Sequence, residues 1–427
     1  MISEEIKTTY LKNILVKFGL NHEIVLQQFQ PKIKTNLIDS FYYKLKFTDI
    51  DLSSYLTEYY KNNLNPSGYM DSTQNSIIIV NSKGYFYEIN PDDFFKSKDL
   101  DSIKILNSNL SEILNEQGYE NLGVKIRNTV GIKDLLINEN QIFISLVGSV
   151  FESCFNTSIY KANLKDENLN FKIFFKNNEC VYPNTPHAAG GRMKIKDNSL
   201  IFTHGTYLNY KTFIYNENKV IEYSKNPAQD MNSIFGKILS INIDNPNDFK
   251  ILSMGHRNPQ GLYINKKGEV ITSEHGPRGG DAINLIQSAL QNNGWPCKSY
   301  GTSYKYGHSY NPEDIDIAIA EGQYYKDNES CLKNKEVFNL PIYFFSPSIG
   351  ASEIFQNNSS EYPLWESDIF ITSLKAKRFF RLKYKNNKII SHETFKIGSR
   401  IRDLLYFDKA IYLLTESPRV SLIKIEN

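Results

Sequence analysis

The sequence predicts an all-β fold, a six-bladed β-propeller of four-stranded antiparallel blades with long inserted loops, and three observations lead there. Its apolar runs are short, often alternating, rich in Tyr, Phe and Ile, and bounded by Asn, Asp, Gly and Lys, which is strand chemistry. A phrase of strand, polar turn and strand, with a third strand after a variable gap, recurs six times. Its starts fall roughly 50 to 90 residues apart, too unevenly for a stacked solenoid but suitably for blades with inserted loops.

The first copy is SIIIVNSKGYFYEIN from Ser76, and the second is IKDLLINENQIFISLV from Ile132 with SIYKANL as its later strand. GRMKIKDNSLIFTHG from Gly191 continues into GKILSIN, and GLYINKKGEVITSEHG from Gly261 into DAINLI. The fifth copy is ASEIFQ with DIFITSL and RFFRLKY; the sixth is RDLLYFDKAIYLLTE from Arg402, closed by SLIKIEN. Residues 1–427 are therefore expected to form one propeller domain, with an N-terminal strand closing the ring against the last blade so that no long edge stays free. KNILVKFGL (12–20) and EIVLQQF (23–29) are the candidates for that strand, and 51–64 and 100–116 are expected as short helices.

Composition narrows the function classes. With 49 basic and 47 acidic residues the formal charge is +2, and no basic run with interleaved aromatics offers a phosphate-tracking surface, so nucleic acid is disfavoured. No stretch reaches the roughly 18 apolar residues of a membrane span, and the acidic, lysine-interrupted start does not read as a signal peptide. A soluble chain is expected. Four cysteines, Cys154, Cys180, Cys297 and Cys331, form no CxxC pair, and without an export signal buried free thiols are expected rather than disulfides.

No GxGxxG after a strand, GK[ST] phosphate loop, HExxH or GxSxG is present. Polar clusters stand instead where propeller loops converge on the central channel. The densest, GHRNPQG and EHGPRGGD, flank the strand-like run LYINKKGEVITS; so many glycines and prolines fix unusual backbone shapes at an entropic cost.

GHRNPQGL, then SEHGPRGGDAINLI and NNGWP, resembles the quinoprotein family of soluble glucose, sorbosone and aldose sugar dehydrogenases. The likeness extends through QDMNSIFGKILSIN, SLKAKRFFRL and SRIRDLLYFDKAIYLLTE, covering residues 185 to 427 well and the first 130 in outline. It implies a six-bladed propeller using pyrroloquinoline quinone and Ca2+, oxidising the anomeric hydroxyl of an aldose to a lactone and passing electrons to an external acceptor.

By that resemblance His187 in PHAAGGRM is the general base, a role an imidazole titrating near neutrality suits; it stands one residue further from Arg192 than the family pattern. Arg257 and Asn258 match the pair that faces the reactive quinone oxygens, where a fixed guanidinium stabilises developing negative charge. Gly276 and Pro277 match the backbone carbonyls that ligate calcium with the cofactor. Lys375, Arg400 and Arg402 match the cations that meet the cofactor's three carboxylates. Read without the resemblance, Arg400 and Arg402 alternate on one face of a strand, and Asp403 can neutralise either. Phe344, Phe345 and Ser348 fall where the family lines the sugar site.

Three departures stand out. Thr206 occupies a position where the family places an acid, Ala282 beside Asp281 one where it has a carboxylate for a second calcium, and the N-terminal glutamine has no clear match, with Arg127 and Asn128 nearest. A catalytically silent propeller binding a sugar or a protein partner is the alternative; metal hydrolysis using His187, His204, His256, His275 and His308 is a third reading. A monomer or homodimer is expected. The family points to a periplasmic or secreted protein, whereas no export segment is visible, so no compartment is assigned.

Overall fold

The computed structural model describes residues 33–53, 68–97, 102–117, 131–151, 154–182, 188–207, 212–216, 219–224, 227–301, 338–417 and 420–427. Blade 1 runs Tyr69–Ser72, Ile77–Val80, Phe86–Ile89 and Lys104–Leu106; blade 2 runs Gly131–Asn138, Gln141–Phe151, Cys154–Asn163 and Lys172–Phe175. Blade 3 comprises Gly190–Lys196, Ser199–His204, Lys237–Asn242 and Phe249–Met254, with Gln291–Asn292 added in parallel. Blade 4 is Pro259–Ile264, Val270–Glu274, Asp281–Ile286 and Tyr343–Phe345; blade 5 is Ala351–Gln356, Ile369–Ser373, Arg378–Lys385 and Lys388–Lys396. Blade 6 takes Arg400–Phe407, Ala410–Ser417 and Ser421–Glu426 from the C-terminus, and Lys44–Asp51 and Ile33–Asp39 from the N-terminal part.

The first strand of each blade touches the first strand of the next, and that of blade 6 touches that of blade 1, so the six form a closed ring. A separate hydrophobic layer fills every gap between neighbouring blades. Lys44–Asp51 is the strand that joins the two ends of the chain, pairing antiparallel with Ser421–Glu426 in the register Phe47↔Ile425 and Ile50↔Leu422. Its side chains serve both flanking layers: Leu45 and Phe47 pack with Trp365 and Phe370 between blades 5 and 6, and Ile50 with Met70 and Ile77 between blades 6 and 1. The strands expected at 12–20 and 23–29 lie outside the described residues.

Other expectations change in detail. Of the segment 51–64, residues 54–64 lie outside the described residues; in 100–116, of which 100–101 lie outside them too, the α-helix runs Leu110–Glu116, preceded by the strand Lys104–Leu106. A three-stranded sheet of Glu179–Cys180, Thr212–Asn216 and Lys219–Ser224 stands apart from the blades and was not foreseen. The expected free thiols are overturned: Cys154 and Cys180 form a disulfide, and Cys297 is disulfide-bonded too. An antiparallel bridge between Phe155 and Val181 brings Cys154 and Cys180 side by side, with Cα atoms 5.4 Å apart.

Blades 2 to 6 share a feature that positions the site. Each first strand slips register near its start, between Ile132 and Asp134, Gly190 and Met193, Pro259 and Gly261, Ala351 and Ile354, and Arg400 and Asp403. A bulge leaves an extra residue unpaired and re-aims side chains. At this level the ring is also stapled. Asp403 accepts the Met70 amide, Asp71 that of Ile137, Asp134 that of Met193 and Glu353 that of Leu262, while Arg192 donates to the Gln260 carbonyl and Ser352 to that of Ile401. Every blade is thereby tied to the next through its innermost strand.

Candidate active site

At the centre of the ring lies Arg192, buried, its Nη1 at 2.9 Å from Asp134, 2.8 Å from Glu353 and 2.8 Å from Asp403, carboxylates of three different blades. Nη2 donates to the Arg402 carbonyl. Burial opposes its charge, but Asp403, Glu353 and Asp134 together push its pKa well above the ordinary value. Burial likewise pulls down on Lys194, and Glu353, Asp71, Asp134 and Asp403 outweigh it and raise its pKa. The sequence reading left these acids out, save Asp403. A signal for them exists: each of IKDLLI, ASEIF, RIRDLL and YMDS carries an acid near the start of an otherwise largely apolar inner strand.

The predicted cofactor cations stand beside this plug. Arg400 Nε donates to Glu416 Oε1 at 2.6 Å and Arg402 Nε to Glu416 Oε2 at 2.8 Å, so one carboxylate holds both guanidinium groups. Asp403, offered from sequence as their counter-charge, is committed to Arg192 instead, because the double register slip at Arg400–Asp403 breaks simple alternation. Arg402 Nη1 reaches Gln260 Oε1 at 3.4 Å, Gln260 Nε2 donates to Asn258 Oδ1 at 2.9 Å, and Asn258 Nδ2 meets His275 Nδ1 at 3.3 Å. Arg257 Nη1 donates to the carbonyls of His275 and Gly276, each at 3.0 Å. One continuous polar chain thus links Arg400 and Arg402 of blade 6 to Arg257, Asn258 and Gly276 of blade 4.

The GHRN turn is shaped by a single buried carboxylate. Glu274 accepts the amides of Arg257 and Asn258, and its other oxygen takes His256 Nδ1 at 3.0 Å and Asn284 Nδ2 at 3.1 Å. Gly255, at φ +72°, begins the turn where a Cβ would strike Asn292 and the Gly294 amide. Thr206 closes the turn from behind, its amide and hydroxyl donating to the Arg257 carbonyl at 3.0 and 3.2 Å. The Arg257 guanidinium lies over the Trp295 ring at 5.3 Å, and its buried Nε has no hydrogen-bond partner among the described residues.

Asp281 is a second hub. It accepts the Gly276 amide at 3.1 Å, the Ser348 hydroxyl at 2.8 Å, and the successive amides of Ile349, Gly350 and Ala351 at 3.1, 2.6 and 3.1 Å. The loop of Gly276 and Pro277 is thereby held to the loop whose Ile349 carbonyl receives the Lys375 amide. Lys375 is exposed. Phe344 is exposed and stacks on Tyr300 at 5.1 Å, whereas Phe345 belongs to the core between blades 4 and 5, against Phe380. Ala282 pairs with Glu274 and Phe344 within blade 4.

His187, His308, Arg127 and Asn128 lie outside the described residues. The residues directly after His187 are anchored at the site: the Gly190 amide donates to Asn258 Oδ1 at 3.3 Å, and the Ala189 carbonyl accepts the Gly205 amide at 2.8 Å. The backbone is left-handed at Ala188, Gly190 and Gly191, and register slips between Gly190 and Met193. Among the described residues no group of three His, Cys, Asp or Glu is arranged to hold a metal. His204 bonds Asn156 and Gly205, and burial lowers its pKa to about 4. Burial also lowers that of His275, with Arg257 adding to it and Asp281 opposing. The hydrolytic metal reading finds no support in these histidines.

Residues 116–424 match the family model described as Glucose / Sorbosone dehydrogenase. The chain is 29% identical over 214 residues to aldose sugar dehydrogenase YliI of Escherichia coli K12, covering 46% of this chain and 53% of that one. It is 27% identical over 238 residues to quinoprotein glucose dehydrogenase B of Acinetobacter calcoaceticus, covering 44% and 50%. These matches span about half the length of each relative. The PQQ-bound form of aldose sugar dehydrogenase from Streptomyces coelicolor shares the fold at 15% identity and a TM-score of 0.56, over 92% of this chain and 99% of that one. No described helix is long and apolar enough to cross a membrane.

Proposed function

From the premise that the chain belongs to the glucose/sorbosone dehydrogenase family, we propose that it oxidises the anomeric hydroxyl of an aldose to a lactone with pyrroloquinoline quinone and Ca2+, handing the electrons to an external acceptor. The observation that carries this reading is the polar chain from Arg400 and Arg402 through Gln260 and Asn258 to Arg257 and Gly276. The residues suit the cofactor. Arg400 and Arg402 share one carboxylate, Glu416, leaving guanidinium donors for a tricarboxylate, and Arg257 keeps a buried Nε to satisfy. Calcium accepts carbonyl oxygens readily, and the Gly276 carbonyl, bonded once by Arg257, retains a second lone pair for such a role beside Pro277.

When bound, the quinone supplies a two-electron acceptor for the hydride leaving the anomeric carbon. This chain's residues then do the following. His187 takes the hydroxyl proton, Arg257 and Asn258 hold and polarise the reacting end of the site, and Lys375, Arg400 and Arg402 bind carboxylates. Glu274 and Asp281 keep the two loops in place, and Phe344 and Ser348 border the sugar. Purified protein given quinone and calcium should reduce a dye in the presence of aldoses, and a chelator should abolish that. His187→Ala should retain quinone and lose turnover. Dye reduction that persists in His187→Ala removes the base assignment, and wild type that retains no quinone removes the redox reading in favour of a binding propeller.

A further inference from the structure

One cation beside the polar chain takes no part in it. Lys133 sits in the bulge of the blade 2 inner strand, where register slips between Ile132 and Asp134. Its neighbour Asp134 is spent on Arg192 and the Met193 amide. Lys133 leans across Gly191, whose φ of +111° and missing side chain make the room; a Cβ at Gly191 would overlap Cβ of Lys133. The side chain is half-buried, and its ammonium makes no hydrogen bond or ion pair with a described residue.

The charged groups that act on Lys133 are Arg402 and Glu416 of blade 6. On the flanking inner strands, Arg192 is committed to three carboxylates and Asp71 to the Ile137 and Ser72 amides. A lysine half out of water, beside an arginine and without a partner among the described residues, is poised for an anion from outside the protein. We propose that Lys133 is a further binding residue of this site, its ammonium meeting an anionic oxygen of the bound cofactor alongside Arg402. This rests on the quinone reading above.

The arrangement has a consequence for pH. Burial, helped by Arg402 and opposed by Glu416, lowers the pKa of Lys133 to about 7. The ammonium is charged below that value and neutral above it, and a bound carboxylate raises the pKa again. Affinity for the quinone should therefore fall as pH rises through neutrality, by about 10-fold between pH 6 and pH 8.

The test is a titration of the full-length protein with pyrroloquinoline quinone, followed by quinone absorbance and by tryptophan fluorescence, for wild type, Lys133→Met and Lys133→Arg at both pH values. Lys133→Met should bind roughly 10- to 100-fold more weakly at pH 6 and lose the added pH dependence. Lys133→Arg, charged throughout, should bind tightly with the dependence flattened. Thermal melting of each variant reports its fold. If wild type binds quinone and Lys133→Met binds equally with the same pH dependence, the inference is overturned while the quinone reading stands. Wild type that binds none removes both.

Discussion

Arg192→Met is the perturbation that most directly tests how the ring is held. Methionine fills much of the arginine's space without its charge, and leaves Asp134, Glu353 and Asp403 facing one another with Lys194 as their remaining cation. Removing one partner of a buried ion pair costs about 3 to 5 kcal/mol, a large share of the roughly 5 to 15 kcal/mol that keeps a typical domain folded. The cost should depend on pH. Burial already raises the pKa of Asp134 from 3.8 to about 7, against the pull of Arg192 and Lys194. A carboxylate raised in the folded state contributes stability that is complete below its unfolded pKa and lost as pH rises through the folded one, by about 1.4 kcal/mol per pH unit per proton. Without Arg192, Asp134 and Glu353, both already raised by burial, hold protons to still higher pH, so acidification relieves the variant more than wild type. Urea unfolding followed by circular dichroism should give a loss of about 3 to 5 kcal/mol at pH 8 and one smaller by about 1 kcal/mol or more at pH 5. A loss under about 1 kcal/mol at pH 8, or equal losses at both pH values, would refute the reasoning.

Asp281→Ala strands five donors, three of them successive backbone amides. It should cost about 2 to 4 kcal/mol in urea unfolding and abolish quinone retention in the titration; full retention would sever the link between this hub and the site. Replacing Cys154 and Cys180 by Ala opens a loop closed across a separation of 26 residues, worth about 3.5 kcal/mol in chain entropy. Wild type unfolded with reductant should lose at least as much, because the disulfide of Cys297 is reduced as well, and an unchanged midpoint in the double variant would place that stabilisation elsewhere.

All six blades were legible because hydrophobic alternation and turn chemistry are local properties, and each quoted copy coincides with strands of one blade. Blade 1 was read only from Ser76, since its inner strand, Tyr69–Ser72, has four residues and too little pattern to register. The closing strand Lys44–Asp51 was missed because its apolar residues switch faces, Leu45 and Phe47 to one layer and Ile50 to the other, which resembles neither a one-sided strand nor a helix. Clustered motifs announced Arg257, Asn258, Gly276, Arg400 and Arg402. Lys133 and Glu416 belong to no motif. Their proximity to Arg402 comes from which strands the ring brings together, a long-range property that spacing along the chain does not carry.

The bulges explain why the stapling groups and the proposed binding groups meet at one level of the ring. Two adjacent residues turn inward where a single one would in a regular strand, so in blade 6 Arg402 pairs with Glu416 while Asp403 joins the plug, and in blade 2 Lys133 stands near Arg402 and Glu416 while Asp134 joins the plug. The layers are also joined by a bond, since Arg192 Nη2 donates to the Arg402 carbonyl at 2.9 Å. Losing Arg192 therefore frees the backbone that aims Arg402. Arg192→Met should weaken quinone binding even at pH 5, where its fold is least affected, and the titration used for Lys133 measures that directly. Binding as tight as wild type at pH 5 would mean that Glu416 and Gln260 suffice to orient Arg402 and that the two layers act independently.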